Sequence, residues 1–234
     1  MITLEEIEKR YNYTFPPLYR KLWNEDMLNW MRGFESPLTD DLNWANDVYP
    51  TLTERPPLLL HSGGPDFELM TPEQMMTFEY PQSWDTDTHH FIPFSRTSEG
   101  EYYAFYKNIE TSGENPVVLI WDDMNETEIV AKNFEDFIFR KMLEASYDVD
   151  KEDLEADYGK EKRMEHYRED LLKDLQSIRP YLNEQYVTIL ENIYNAEIIE
   201  TLISYHLKGQ KPIGEIIEEM LYFEQMSESF EHER

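Results

Sequence analysis

The chain has 234 residues, of which 49 are acidic and only 21 are basic, so its formal net charge at pH 7 is −28. A field of this sign repels the phosphates of nucleic acids and the headgroups of anionic membranes, and it attracts basic proteins. We therefore predict that the chain binds neither nucleic acid nor membranes directly. Its apolar content of 40%, with 14% aromatic residues, is high enough to build a folded core.

Cysteine is absent, which excludes disulfides and thiol catalysis. The sequence begins with a polar, acidic segment instead of a basic one followed by an apolar one, so we expect no signal peptide. No apolar run approaches the roughly 20 residues that a transmembrane helix needs. A cytoplasmic location is therefore the expectation.

The first third of the chain carries clear signals for short helices. A capping box at residues 3–6 predicts one helix, and the prolines at 16–17 end that segment and can begin a second. Residues 29–57 are aromatic and turn-rich and predict irregular structure. Residues 58–61 predict a short strand or extended segment, and a second capping box at 71–74 predicts another helix.

Residues 91–143 give the strongest fold signal. The aromatic run 102–106 and the apolar run 117–121 predict strands, since each is too short for a typical helix. A polar turn leads from the second run to a third strand at 129–131. Asn133 can then cap a helix. The apolar positions of that helix keep helical spacing at Phe134, Phe137, Ile138 and Met142.

The order of these motifs resembles the SUKH superfamily. The matching pieces are Phe-Ile-Pro-Phe at 91–94, Gly-Glu-Tyr-Tyr at 100–103, Val-Val-Leu-Ile-Trp-Asp at 117–122 and Asn-Phe-Glu-Asp-Phe at 133–137. The opening of the chain is also similar, with a helix followed by Phe-Pro-Pro-Leu-Tyr at 15–19.

The resemblance covers about residues 1–145. It implies an α+β fold in which helices flank an antiparallel sheet. The superfamily contains fungal regulators of cell-wall synthesis and many bacterial immunity proteins that neutralise toxins. The resemblance therefore implies protein binding without catalysis, and it supplies no catalytic residues.

After about Ala145 the composition shifts to aspartate, glutamate and lysine, and glycine becomes rare. Apolar residues at helical spacing in residues 171–182, 189–206 and 213–221 predict three or four helices. We therefore expect two domains, a SUKH-like α+β domain at 1–147 and an acidic, all-helical extension at 148–234.

One loop has mixed metal-ligand chemistry, because it contains Asp85, Asp87, His89 and His90. Neighbouring histidines usually point in different directions, and polar loops before strands often contain such residues. We therefore predict no metal site, with a divalent-cation site in this loop as the open alternative.

Other catalytic and cofactor patterns are missing. The acidic residues after the strand at 117–121 lack the spacing of a calcium-binding EF-hand loop. Gly63-Gly64 is not followed by Lys and Ser or Thr, so it is no phosphate-binding loop. No Gly-x-Ser-x-Gly is present. We predict no enzyme activity and no cofactor.

Aromatic and acidic residues in loops are the candidates for partner contacts, since Tyr and Trp are over-represented at interface hot spots. The predicted contact residues are Trp30, Trp44, Tyr49, Trp84, Asp122 and Asp123.

The predicted partner is a protein, and the leading hypothesis is a basic, nuclease-type toxin whose active site an acidic immunity protein would occlude. The alternative is a regulatory scaffold that binds a housekeeping partner, with the C-terminal extension as a second docking surface.

Overall fold

The computed structural model describes residues 2–30, 49–59, 68–97, 100–111, 113–121, 123–158, 161 and 163–234. Its contacts divide the chain into two compact units. The first unit consists of Met1–Asn24, Pro65–Arg140 and Glu218–Arg234, and the second of Glu25–Gly64 and Lys141–Ile217. The predicted domain boundary at residue 147 stays a prediction.

The described chain contains the following helices and strands. The helices are α1 (Leu4–Tyr11), α2 (Pro17–Asn24), α3 (Tyr49–Leu52), α4 (Pro72–Thr77), α5 (Phe134–Glu144), α6 (Lys151–Tyr158), α7 (Arg163–Ile178), α8 (Glu184–Tyr194) and α9 (Ile213–Leu221). The strands are β1 (Glu68–Leu69), β2 (Phe91–Arg96), β3 (Tyr102–Tyr106), β4 (Val117–Trp121), β5 (Glu126–Ala131), β6 (Val149–Asp150), β7 (Glu197–Glu200), β8 (Ser204–Lys208) and β9 (Ser229–Phe230).

The capping signals in the sequence are confirmed. The Thr3 hydroxyl accepts from the Glu6 amide while the Glu6 carboxylate accepts from the Thr3 amide, so both orphan groups at the start of α1 are satisfied. Thr71 and Gln74 form the same reciprocal pair at the start of α4. The Asn133 side chain accepts from the Asp136 amide at 2.8 Å at the start of α5.

A six-stranded antiparallel sheet forms the framework of the first unit, with strand order β1-β2-β3-β4-β5-β9. Consecutive strands β2 to β5 form a meander with registers such as Phe91↔Tyr106 and Tyr102↔Ile120. The register shifts between Pro93 and Ser95, where β2 contains a proline that cannot donate a ladder hydrogen bond. The predicted α+β fold with an antiparallel sheet and helices is confirmed.

Both faces of this sheet are covered, which explains the almost continuous apolar runs of β2 to β4. Successive side chains of β3 point to opposite faces. Phe105 contacts Phe94 and Phe134 on the helix-covered face, with ring centroids 4.8 and 5.5 Å apart. Ala104 and Tyr106 pack into a second cluster on the other face, together with Trp84 and Phe223.

The second unit contains α7 and α8 and a three-stranded antiparallel sheet of order β6-β8-β7. Two buried tyrosines connect α7 and α8 to main-chain carbonyls at the end of α5. The Tyr167 hydroxyl donates to the Ala145 carbonyl at 2.9 Å, and the Tyr194 hydroxyl donates to the Met142 carbonyl at 2.8 Å.

The prediction of an all-helical extension at 148–234 is confirmed only in part. Helices occupy 163–194 and 213–221, but β6, β7, β8 and β9 are strands. The predicted helical pattern at 189–206 breaks after Tyr194, where Asn195 caps α8, and β-branched residues then favour a hairpin. Residues 229–230 pair with β5 as the sixth strand of the main sheet.

No helix in the described part of the chain is long and apolar enough to cross a membrane.

Candidate protein-interaction surface

Two of the six predicted contact residues, Trp44 and Asp122, lie outside the described residues. Trp30 and Tyr49 are half-buried, and Asp123 is exposed in the turn after β4. The Tyr49 hydroxyl hydrogen-bonds the Asp170 carboxylate over 3.0 Å. Trp30 and Tyr49 belong to the second unit, and Trp84 and Asp123 to the first. The partner-contact role of all six residues stays a prediction.

Trp84 is placed in the core. Only 3% of its surface is exposed. Its ring contacts Phe91 at 5.5 Å and His232 at 5.4 Å between centroids. In this structure Trp84 fills the second face of the main sheet and presents almost no area to a partner.

The possible metal ligands of the loop at 85–90 make hydrogen bonds within the protein. The Asp85 carboxylate accepts from the amides of Asp87 and Thr88, and hydrogen bonding from Thr88 lowers the pKa of Asp85. His89 Nδ1 lies 2.8 Å from the Tyr106 hydroxyl, and His90 Nδ1 lies 3.2 Å from Asn108 Oδ1. Across the described ranges, no three carboxylate or imidazole side chains converge as metal ligands.

Three of the five large apolar residues that are exposed in the described chain, Tyr147, Leu202 and Ile203, lie in or beside the hairpin of β7 and β8. Leu202 is 92% exposed and Ile203 is 67% exposed, and both occupy the turn of this hairpin. Large aliphatic side chains usually lose this exposure on folding, so two adjacent ones held outward are a feature of interaction sites. We call Tyr147, Leu202, Ile203 and the flanking strands β7 and β8 the hairpin surface.

Local hydrogen bonds fix the turn and hold both side chains outward. The Thr201 amide donates to the Ser204 carbonyl at 2.9 Å, and the Thr201 hydroxyl accepts from the Ser204 amide at 2.9 Å. The Ile203 carbonyl accepts from the Lys151 amide at 3.0 Å. Leu202 and Ile203 are thus presented on a closed turn, which lowers the entropy lost on binding.

The strand faces extend this apolar area. Ile199 and His206 are directly opposite each other in the β7–β8 register, so their side chains share one face. Tyr147, which is 55% exposed, places its ring 5.3 Å from the His206 ring. The hairpin and the segment beside it thus carry one exposed aromatic ring and two exposed aliphatic side chains, residue types that are common in interface cores.

Carboxylates surround the apolar residues. Glu197 and Glu200 are exposed on β7, and Asp148, Glu152 and Asp153 are exposed beside β6 and at the start of α6. Lys151 does not reverse this charge, because its ammonium donates to Glu200 at 2.7 Å and to the Thr201 carbonyl at 2.6 Å. The hydrogen bond from the same ammonium lowers the pKa of Glu200, which favours the ionised form of this carboxylate.

The hairpin surface therefore combines an exposed apolar centre with an acidic rim. Strand β7 is at the edge of its sheet as described, and its two glutamates discourage self-pairing with another copy. Such a surface is complementary to a basic protein that offers an apolar pocket.

Sequence reasoning missed this surface because it assigned residues 196–206 to a helix. The apolar positions there fit a spacing of three and four residues about as well as alternation. The overlooked signal is Thr-Leu-Ile-Ser at 201–204, in which two hydroxyl residues that favour turns bracket the tip.

Comparison with known families gives one match. The model of the SMI1 / KNR4 family (SUKH-1) matches residues 2–140. That range covers α1 to β5 and most of α5, and it ends before the hairpin surface. No curated protein and no solved structure matches the chain.

Proposed function

Because the chain belongs to the SMI1 / KNR4 (SUKH-1) family, we propose that it is a non-catalytic immunity protein that neutralises a basic toxin by direct binding. This family is known for immunity proteins and regulators, and both roles depend on binding another protein. The observation that carries the proposal is the hairpin surface, with Leu202 and Ile203 exposed inside an acidic rim.

Charge supports a basic partner. A net charge of −28 raises the rate at which a positively charged protein encounters this chain. A nuclease-type toxin is basic where it holds nucleic acid, and an acidic surface competes for that same region. The exposed aliphatic residues then supply the short-range burial that slows dissociation.

The second candidate is a regulatory scaffold. The hairpin surface lies outside residues 2–140, so it is an addition to the family domain. A scaffold would use this addition to dock a housekeeping protein, and that partner would be harmless when expressed alone.

We expect the double substitution Leu202→Asp and Ile203→Asp to weaken partner binding by about 100-fold or more, because central apolar anchors of an interface are worth about 2 kcal/mol or more each. The measurement is a pull-down of the tagged, full-length chain from its own cells, with captured proteins identified by mass spectrometry and the affinity then measured with the purified partner.

The matched control is the double substitution Met124→Asp and Tyr222→Asp. It adds the same two charges at exposed apolar positions, 45% and 69% exposed, in the other unit. This control should bind like the unmodified chain. Equal binding by the hairpin variant and the unmodified chain would show that the hairpin surface is not the docking site.

We also expect the association rate to fall by more than about tenfold when ionic strength rises from about 0.05 to about 0.5 M, because salt screens the attraction between opposite charges. Stopped-flow mixing of chain and purified partner measures this rate. A salt-independent rate would contradict the proposal that the partner is recognised through its positive charge.

A further inference from the structure

A cavity of about 260 Å³ in the first unit has a composition unlike the rest of this acidic chain. Among the residues that the structure describes, no carboxylate lines it. Its walls include two cationic side chains, two imidazoles and two phenol rings, namely Arg10, Lys107, His89, His90, Tyr11 and Tyr80.

The charges of Arg10 and Lys107 are not neutralised by carboxylates within the described ranges of the chain. Arg10 Nη2 donates to the main-chain carbonyl of Phe78, and Lys107 Nζ donates to the carbonyl of Asn12 at 2.7 Å. A carbonyl satisfies a donor without cancelling a formal charge. The Arg10 guanidinium also lies over the Tyr11 ring, 5.5 Å from its centroid, which likewise leaves its charge uncancelled. Both cations keep further donors for a ligand.

The acidic residues of the adjacent loop have another partner. Arg234 lies 3.0 Å from the Asp87 carboxylate and 3.8 Å from that of Asp85. The two imidazoles are anchored through Nδ1, His89 beside the Tyr106 hydroxyl and His90 beside Asn108. These contacts set the orientation of both rings before any ligand arrives.

The apolar part of the wall is made of rigid rings. The Tyr11 hydroxyl donates to the Met75 carbonyl at 2.7 Å, and the Tyr80 hydroxyl donates to the Phe91 carbonyl at 2.5 Å. Because both hydroxyls are committed to the main chain, these tyrosines line the cavity mainly with their rings, and Arg10 lies over the ring of Tyr11.

We propose that this cavity binds an organic phosphate monoester whose ester group is a flat ring. Two uncompensated cations match the charge of about −2 on such a phosphate at neutral pH, and the arginine fork suits its oxygens. The rings of Tyr11 and Tyr80 provide the surface for the flat group. A volume just below about 300 Å³ restricts the ligand to a small one.

This site is separate from the hairpin surface, and its test does not depend on toxin binding. Two kinds of ligand combine a phosphate monoester with a flat ring, namely a free mononucleotide and a phosphorylated tyrosine side chain. Isothermal titration calorimetry of the full chain with phenyl phosphate tests the shared chemistry. Parallel titrations with AMP and with phosphotyrosine amide distinguish the two sources, since the proposal requires at least one of them to bind.

We expect phenyl phosphate to bind and phenol not to bind. Arg10→Gln and Lys107→Gln should each weaken binding by about tenfold or more, because each removes a charge-assisted contact to the phosphate. The matched control is Lys9→Gln, which removes one positive charge from the exposed side of the same helix and should leave the affinity unchanged. Thermal unfolding of each variant verifies that it is folded.

Three results would overturn the proposal. One is the absence of phenyl phosphate binding up to about 10 mM, which leaves no useful affinity. Another is benzoate binding as tightly as phenyl phosphate, which would show that the site has no preference for phosphate over other aromatic anions. The third is an equal loss of phenyl phosphate affinity in Lys9→Gln and Lys107→Gln, which would show that overall charge, and not the cavity, determines binding.

Discussion

Replacing Trp84 with alanine should lower the free energy of unfolding by about 3–5 kcal/mol, the cost of removing a buried aromatic side chain and leaving a cavity. Trp84 is 3% exposed and lies between the main sheet and the last residues of the sequence. Its ring contacts Phe91, Tyr102 and His232 at centroid distances of 5.5, 5.9 and 5.4 Å. Chemical denaturation followed by circular dichroism measures the change.

The contacts of the last residues depend on the same position. The His232 carbonyl accepts from the Asp85 amide at 2.7 Å, and the Arg234 amide donates to the Ser83 carbonyl at 3.0 Å. These bonds bracket Trp84, so its removal should loosen the pairing of β9 with β5 as well as the core. Hydrogen exchange at the Ile129 amide, which donates to the Glu228 carbonyl at 3.0 Å beside β9, should therefore accelerate.

Tyr222→Ala is the control for this substitution, because Tyr222 is an aromatic residue of the same unit that is 69% exposed. It should change stability by no more than about 0.5 kcal/mol. A loss of less than about 1 kcal/mol for Trp84→Ala, combined with weaker partner binding, would instead support the sequence-based prediction that Trp84 is a contact residue.

We expect the contribution of Asp174 to the free energy of unfolding to fall as pH rises from about 4 to about 8. Burial raises the pKa of Asp174 to about 8 in the folded chain, whereas an unfolded aspartate titrates near 3.9. Between these values the folded state binds the additional proton, so raising the pH favours unfolding. The total loss is about 6 kcal/mol, and it is complete above about pH 8.

The pKa of Asp174 is raised because its carboxyl group is buried without a hydrogen bond or a positive charge from the described residues that would stabilise the ionised form. Asp174 is 1% exposed, and neither of its carboxyl oxygens has a hydrogen-bond partner in the described structure. The neighbouring tyrosines cannot donate to it, since the single protons of Tyr167 and Tyr194 go to main-chain carbonyls. The neutral acid is therefore the form that the fold accommodates.

The measurement compares unfolding of the unmodified chain and of Asp174→Asn from pH 4 to pH 9. The variant should gain relative stability by about 1.4 kcal/mol per pH unit within this window. Taking the difference removes the contribution of the other carboxylates. Glu169→Gln, at a side chain that is 67% exposed, should stay within about 0.5 kcal/mol of the unmodified chain. A constant difference between Asp174→Asn and the unmodified chain at pH 5 and pH 9 would contradict the account.

The core of the first unit could be predicted because its local signals agree with its tertiary role. The run 117–121 is apolar on both faces since both faces are buried, and Asn133 caps α5 as its side chain predicts. The family resemblance of residues 1–145 rests on the same segments, and the family match at 2–140 confirms it.

The hairpin and the last strand could not be predicted from local pattern. Ser229 and Phe230 are too few to show periodicity, and they become a strand only because the edge of β5 is available about 100 residues earlier in the sequence. Trp84 shows the same limit, since its burial is decided by His232 and other distant residues. From sequence alone, an aromatic residue in a loop fits a partner-binding site as well as the core, because the segment that packs against it is not yet known.

The measurement that tests the central claim most directly is the growth of cells that express the partner captured in the pull-down. An immunity protein predicts that the partner alone arrests growth and that co-expression of this chain restores it. Restoration should fail with Leu202→Asp/Ile203→Asp and persist with Met124→Asp/Tyr222→Asp. Normal growth of cells that express the partner alone would contradict toxin neutralisation and favour the regulatory scaffold.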